Sequence, residues 1–157
     1  MGVNEVIVLD THILIWWVND PAALSEPSRT VIEAALSSRT VHVSCISSWE
    51  IALLVERGRL RLALDVRDWL SRCEALPFLT FVPVSNAIAV ESVRLPDFPH
   101  ADPADRIIAA TALSLGAPLV TKDDKLRNYS HLKTIWQVTT TRRGEAQVTN
   151  ADAEGQK

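Results

Sequence analysis

Short β-branched runs alternate with helix-length segments along most of this 157-residue chain, and that alternation limits the possible folds more than any other feature. Residues 5–10 (EVIVLD), 40–45 (TVHVSC), 80–84 (TFVPV), 118–123 (PLVTKD) and 134–138 (TIWQV) read as strands. Helices are expected over 12–18, from Ser25 as N-cap to residue 36, over 47–57, 65–75 and 86–95, from Asp102 to residue 115, and over 124–129. Ser47 and Glu50 have capping-box spacing, and Gly58 and Gly116 suit helix stops. Asp102 is placed to cap, with Pro103 at the first helical position and Asp105 at the third. Residues 59–64 alternate basic and apolar, as a short ribbon or an extended link does. Strands alternating with helices predict an α/β sandwich with a mostly parallel central sheet.

The chain is 47% hydrophobic and 22% charged, enough for one domain with a proper core. The apolar stretch 107–120 is interrupted by Thr111, Ser114, Gly116 and Pro118 and is too short to span a bilayer. Residues 1–10 carry Glu5 and no basic cluster, unlike a signal peptide. Cys45 and Cys73, with no CxxC, are expected as buried free thiols in a reducing cytoplasm. His12, His42, His100 and His131 lack zinc-ligand spacing and are expected at surface or packing positions. Periodicity ends near Thr139, so residues 1–139 read as the domain and 140–157 as a disordered tail.

Four acids, Asp10, Glu50, Asp105 and Asp123, fall where strands end or helices begin. In an open α/β sheet such places can meet at one edge. Together they would offer oxygen ligands to Mg²⁺ or Mn²⁺, which points to phosphodiester hydrolysis. Taken singly, each acid is better explained as a cap or a dipole partner. Taken together that explanation weakens, because two carboxylates 4 Å apart repel by about 4 kcal/mol at an effective dielectric near 20, and a cation relieves this. The net charge of −3 does not exclude a polyanionic substrate: without these four negative charges the remainder carries +1.

Thr11 and Thr121 flank two of the acids and can hold a carboxylate rotamer. Arg106 and Lys122 adjoin Asp105 and Asp123, as phosphate contacts or as neutralising charges. Arg57, Arg59 and Arg61 form a small basic run on a solvated face. Among the five tryptophans, adjacent Trp16 and Trp17 must point in different directions on one helix, and one tryptophan is expected at a protein–protein surface.

VLDTHILIWWV, SSWEIALLVERGRL, DPADRIIAATAL and LVTKDDKL, in this order over residues 5–138, resemble the PIN-domain ribonucleases, most closely VapC-type toxins of type II toxin–antitoxin pairs. Asp10, Glu50, Asp105 and Asp123 match the family's acids. The fourth position is the loosest, with Asp124 and Asp102 nearby and Asp102 favoured as a helix cap. Thr11 matches the hydroxyl residue after the first Asp. The resemblance implies a three-layer α/β/α fold and an endoribonuclease using one or two Mg²⁺ or Mn²⁺ ions. It also implies an RNA substrate, a small antitoxin protein that blocks the site, and a homodimer.

Two other readings compete. A phosphatase or phosphotransfer domain with an Asp nucleophile would want D-x-D after the first strand, and His12 stands at the second acid. A catalytically silent interaction module would use the acids only as caps and partner contacts.

Overall fold

The computed structural model describes residues 5–137; the predicted tail, residues 140–157, and the end of the predicted domain at 138–139 lie outside them. Five strands form one sheet: β1 (Ile7–Leu9), β2 (Val41–Ser44), β3 (Leu79–Val82), β4 (Leu119–Val120) and β5 (Thr134–Ile135). Among the described residues seven α-helices connect or flank them, with a short 3-10 turn at Pro21–Ala23: α1 (Thr11–Asn19), α2 (Glu26–Ser38), α3 (Cys45–Glu56), α4 (Val66–Glu74), α5 (Asn86–Arg94), α6 (Pro103–Ser114) and α7 (Asp124–Arg127). Every strand pair is parallel, in the order β3-β2-β1-β4-β5, so the sheet is wholly rather than mostly parallel.

The central strand shows why the sheet has helices on both faces. Ile7 and Leu9 enter one buried cluster with Ile13, Leu14, Ile32, Val41, Val43 and Trp69. Val8 points the other way and joins Ile108, Ala109, Ala112, Leu119 and Leu126. Strand side chains alternate between faces, so an unbroken apolar run is buried on both sides. The two clusters make three layers, α/β/α.

The chain first moves outward from β1 to β2 and β3, then crosses back to place β4 on the other side of β1. The order therefore reverses between β1 and β4. Helices leave opposite faces there, and a crevice opens beyond the carboxyl ends of the two strands. Asp10 follows β1 directly, and Thr121 to Asp123 follow β4.

Several boundaries differ from expectation. Helix α3 starts at Cys45 with Ser44 as its cap, whose hydroxyl accepts from the Ile46 N–H at 3.2 Å. The strand runs straight into the helix, so Ser47 lies inside the first turn and the Ser47–Glu50 capping box does not form. Cys45 is consequently exposed, contrary to the expected buried thiol, while Cys73 is buried. β4 is shorter than predicted because Thr121 Oγ1 accepts from the Asp123 N–H at 3.1 Å and turns the chain. Residues 59–64 form an irregular link, bent at residues 59, 63 and 64 and without strand pairing, with Leu60, Leu62 and Leu64 packed on the core.

Candidate active site

Three helix N-termini and the second turn of α3 meet at the crevice, and three caps explain how. Asp10 caps α1, its Oδ1 accepting from the Thr11 N–H at 2.8 Å. Asp102 caps α6, accepting from the Ala104 N–H at 2.9 Å. Asp123 caps α7, accepting from the N–H groups of Lys125 and Leu126. Glu50 stands one turn into α3. A cap engages one carboxylate oxygen and leaves the other for a second partner, so capping and convergence coexist. The positive ends of the helices also offset part of the clustered negative charge.

Asp10, Glu50, Asp102, Asp105 and Asp123 line one cavity of about 410 Å³ together with His12, Ile13, Trp16 and Lys122. All four predicted acids meet there, with Asp102 as a fifth. Hydroxyls fix two of them. Thr121 Oγ1 donates to Asp10 Oδ2 at 2.7 Å. Thr11 Oγ1 donates to Glu50 Oε1 and stands 2.8 Å from Ser47 Oγ; with its own proton committed to Glu50, Thr11 accepts from Ser47. Both Asp10 oxygens are thus hydrogen-bonded, which fixes the orientation of its half-buried carboxylate in the cavity wall.

The sequence reading missed His100. Its Nε2 lies 3.1 Å from Asp123 Oδ2, and its Nδ1 lies 3.8 Å from Asp105 Oδ2. It comes from the proline-rich loop that feeds directly into α6, two residues before the cap Asp102. That position was the available signal, and spacing rules for zinc ligands do not test it.

Arg106 lies apart from the acids' cavity; its guanidinium donates to the Ser92 carbonyl at 3.3 Å and sits 5.3 Å over the Phe98 ring. It ties α6 to α5. Lys122 does line the cavity. Its ammonium pairs with no acid among the described residues and rests 5.6 Å from the Trp16 ring and 5.9 Å from that of Trp136. Trp17 packs edge-on against Phe78, so the two neighbouring tryptophans do diverge. Trp49, on α3, is the exposed one.

The electrostatics are those of an acid cluster without enough cations. Burial, followed by repulsion from Asp10, Asp105 and Asp102, pushes the Glu50 carboxyl up to about 7 despite the Thr11 hydrogen bond. Asp105 rises to about 6 through burial and then the charges of Asp10, Asp102 and Asp123, partly offset by His100. Asp10 is raised by burial, against the hydrogen bonds from Thr121 and Thr11. Asp123 goes the other way: burial raises it, but the His100 contact and the two helix N–H groups outweigh burial and hold it below the usual range.

Two donor groups have ligand atoms within 4.8 Å of one another: Glu50, Asp102 and Asp105, and His100, Asp105 and Asp123. Donors about 2.1 Å from a small dication stand about 3 Å apart when adjacent and about 4.2 Å when opposite. The cluster is close to that spacing and rich in oxygen, the donor chemistry that such an ion takes.

A PIN domain model matches residues 7–132. The chain is 37% identical over 132 residues to Ribonuclease VapC22 of Mycobacterium tuberculosis, covering 83% of this chain and 98% of that protein. It also resembles two solved structures. VapBC2 from Rickettsia felis, bound to a DNA fragment from its promoter, superposes with a TM-score of 0.64 at 18% identity, over 85% of this chain and 100% of that one. DNA-bound VapBC from Salmonella typhimurium gives 0.61 at 18%, over 83% and 97%. At such identities the structures establish the likeness of fold.

Proposed function

This chain belongs to the PIN-domain family, and from that premise we propose that it is a metal-dependent endoribonuclease of the VapC type, the toxin of a toxin–antitoxin pair. The observation that carries the reading is the meeting of Asp10, Glu50, Asp105 and Asp123, from four separate elements, in one cavity at the point where strand order reverses. Separate caps need no such convergence. A ribonuclease relative at 37% identity over nearly its whole length supports the choice of RNA as substrate.

In this reading Asp10, Glu50, Asp105 and Asp123 would hold or orient one or two Mg²⁺ or Mn²⁺ ions. A bound dication polarises the phosphoryl oxygen and lowers the pKa of the attacking water. The protein's part is placement. Thr121 and Thr11 lock the carboxylates of Asp10 and Glu50, and the helix N-termini steady their charge. Lys122 meets a backbone phosphate at the cavity mouth. A small antitoxin that covers the acidic cavity is the proposed partner, and the likeness to two VapBC structures supports it. A homodimer, a cytoplasmic location and a nuclease domain over residues 1–139 complete the proposal. No helix among the described residues is long and apolar enough to cross a membrane.

Cleavage of a panel of structured RNAs in Mg²⁺, Mn²⁺ or EDTA tests this, with Asp10→Asn in parallel. We expect metal-dependent cuts that drop to background in a folded Asp10→Asn protein. Undiminished cutting by that variant would remove Asp10 from the site.

A further inference from the structure

We propose that His100 is a metal ligand, which makes the centre two unlike sites sharing Asp105: one of oxygen donors alone, and one of mixed nitrogen and oxygen donors that prefers a first-row transition dication such as Mn²⁺ to Mg²⁺. This rests on the metal-dependent reading above and sharpens it.

The placement of the donors carries the argument. Glu50, Asp102 and Asp105 form one compact group, and His100, Asp105 and Asp123 form another. Asp105 belongs to both. His100 Nε2 stands 3.1 and 3.3 Å from the two Asp123 oxygens, a hydrogen bond whose length also matches the spacing of adjacent ligands on one small ion. The ring is only 16% exposed, and Phe98 packs against it with centroids 6.2 Å apart. Phe98 in turn carries the Arg106 guanidinium, which is itself tied to Ser92 on α5. The imidazole is therefore supported by a chain of packed side chains anchored on two helices, as a precise ligand requires.

Donor chemistry then separates the two positions. Mg²⁺ takes oxygen ligands and keeps several waters, so the all-carboxylate group suits it. A neutral imidazole nitrogen adds little for Mg²⁺ and is a good ligand for transition dications. The competing explanation is that His100 acts only as an internal counter-cation for Asp105 and Asp123. The two roles predict opposite signs. A counter-cation competes with every incoming metal, so its removal raises the affinity for Mg²⁺ and Mn²⁺ together. A ligand lost costs Mn²⁺ selectively.

The test is calorimetric titration of the full-length protein with Mn²⁺ and with Mg²⁺, beside spin-echo resonance of the Mn²⁺ complex, which detects a directly bound nitrogen. His100→Ala is compared with the parent. His100→Asn, closer in size, guards against a folding defect, and His12→Ala controls for the other histidine at the cavity. Nitrogen coupling is expected in the parent and in His12→Ala and absent from both His100 variants. The ratio of Mn²⁺ to Mg²⁺ affinity should fall at least about tenfold in those variants. Mn²⁺ bound without nitrogen coupling in the parent, or both affinities rising together in His100→Ala, would overturn the proposal and leave the metal-dependent nuclease standing. Failure of either metal to bind the parent would overturn both.

Discussion

Thr121 is the residue on which the most geometry depends. Its hydroxyl donates to Asp10 Oδ2 and accepts from the Asp123 N–H, so one buried oxygen sets the positions of two acids. Thr121→Val keeps the shape and removes both bonds. We expect a loss of about 1–2 kcal/mol, because the donor and acceptor left behind are partly buried, together with slower cleavage; Thr121→Ser should recover most of both. Denaturant melts alongside RNA cleavage check this, and a Thr121→Val protein of parental stability would show that the hydroxyl is dispensable. Lys122 makes a different kind of prediction. Lys122→Met keeps the stem against Trp16 and Trp136 and removes the charge. RNA binding should weaken and the slope of log K against log salt should fall by about 0.7, one single-strand phosphate contact. An unchanged slope would place Lys122 outside the RNA path.

At the scale of elements, helix ends were the most readable part of the chain. Ser25, Asp65, Ser85 and Asp102 cap as their residue types suggest. Gly58 and Gly116 take φ of +67° and +60° and end α3 and α6, each with the paired backbone bonds of a glycine stop, such as Arg59 N–H to the Leu54 carbonyl and Ala117 N–H to the Ala112 carbonyl. Helix α2 ends with the same bonds, Arg39 N–H to Leu36 and Thr40 N–H to Ala35, but with Arg39 in the left-handed position at φ 57°. Glycine lacks the Cβ that makes this conformation costly. Arg39→Gly should therefore stabilise the protein by about 0.5–1 kcal/mol, read as a higher denaturation midpoint at unchanged slope. A lower midpoint would mean that the arginine side chain contributes more than the strain it carries. Where the reading of α3 failed, two serines competed. Ser47 with Glu50 matched a capping pattern, yet Ser44 comes first where β2 runs directly into the helix, and Ser47 and Glu50 were left free to reach Thr11.

The whole molecule couples acid chemistry to stability. In the absence of metal, Glu50 titrates near 7 instead of 4.5 and Asp105 near 6 instead of 3.8. A carboxyl whose folded pKa is raised is easier to keep folded while protonated. Its contribution is complete below the unfolded value and is lost as pH rises through the folded one. Asp123, held low, has the opposite sign and loses its contribution only in acid. The melting temperature in EDTA should thus fall between about pH 4 and 7. Mn²⁺ should reverse the fall by binding the folded state alone, by about 2.7 kcal/mol at a hundred times its dissociation constant. Melts across pH with and without Mn²⁺ check this. A metal-free stability that rises steadily over that interval would mean that the acids do not repel one another as their placement requires.

What the amino-acid sequence determined by itself was local: which runs are strands, where most helices start and stop, and that Asp10, Asp105 and Asp123 each stand within a turn of an element's end, whereas Glu50 lies in the middle of α3. Those properties depend on neighbours within a few residues, where side-chain period, capping hydroxyls and glycine act directly. The tertiary structure alone decided which ends meet. The crossing from β3 back to β4 puts Asp123 opposite Asp10, 111 positions separate Thr121 from the carboxylate it holds, and the path of one loop brings His100 between Asp105 and Asp123. It also turned Arg106 away to Phe98 and left Lys122 facing the cavity, although each of these cations adjoins an acid in sequence. No local rule reaches across such separations; the packing of two helix layers on a parallel sheet does.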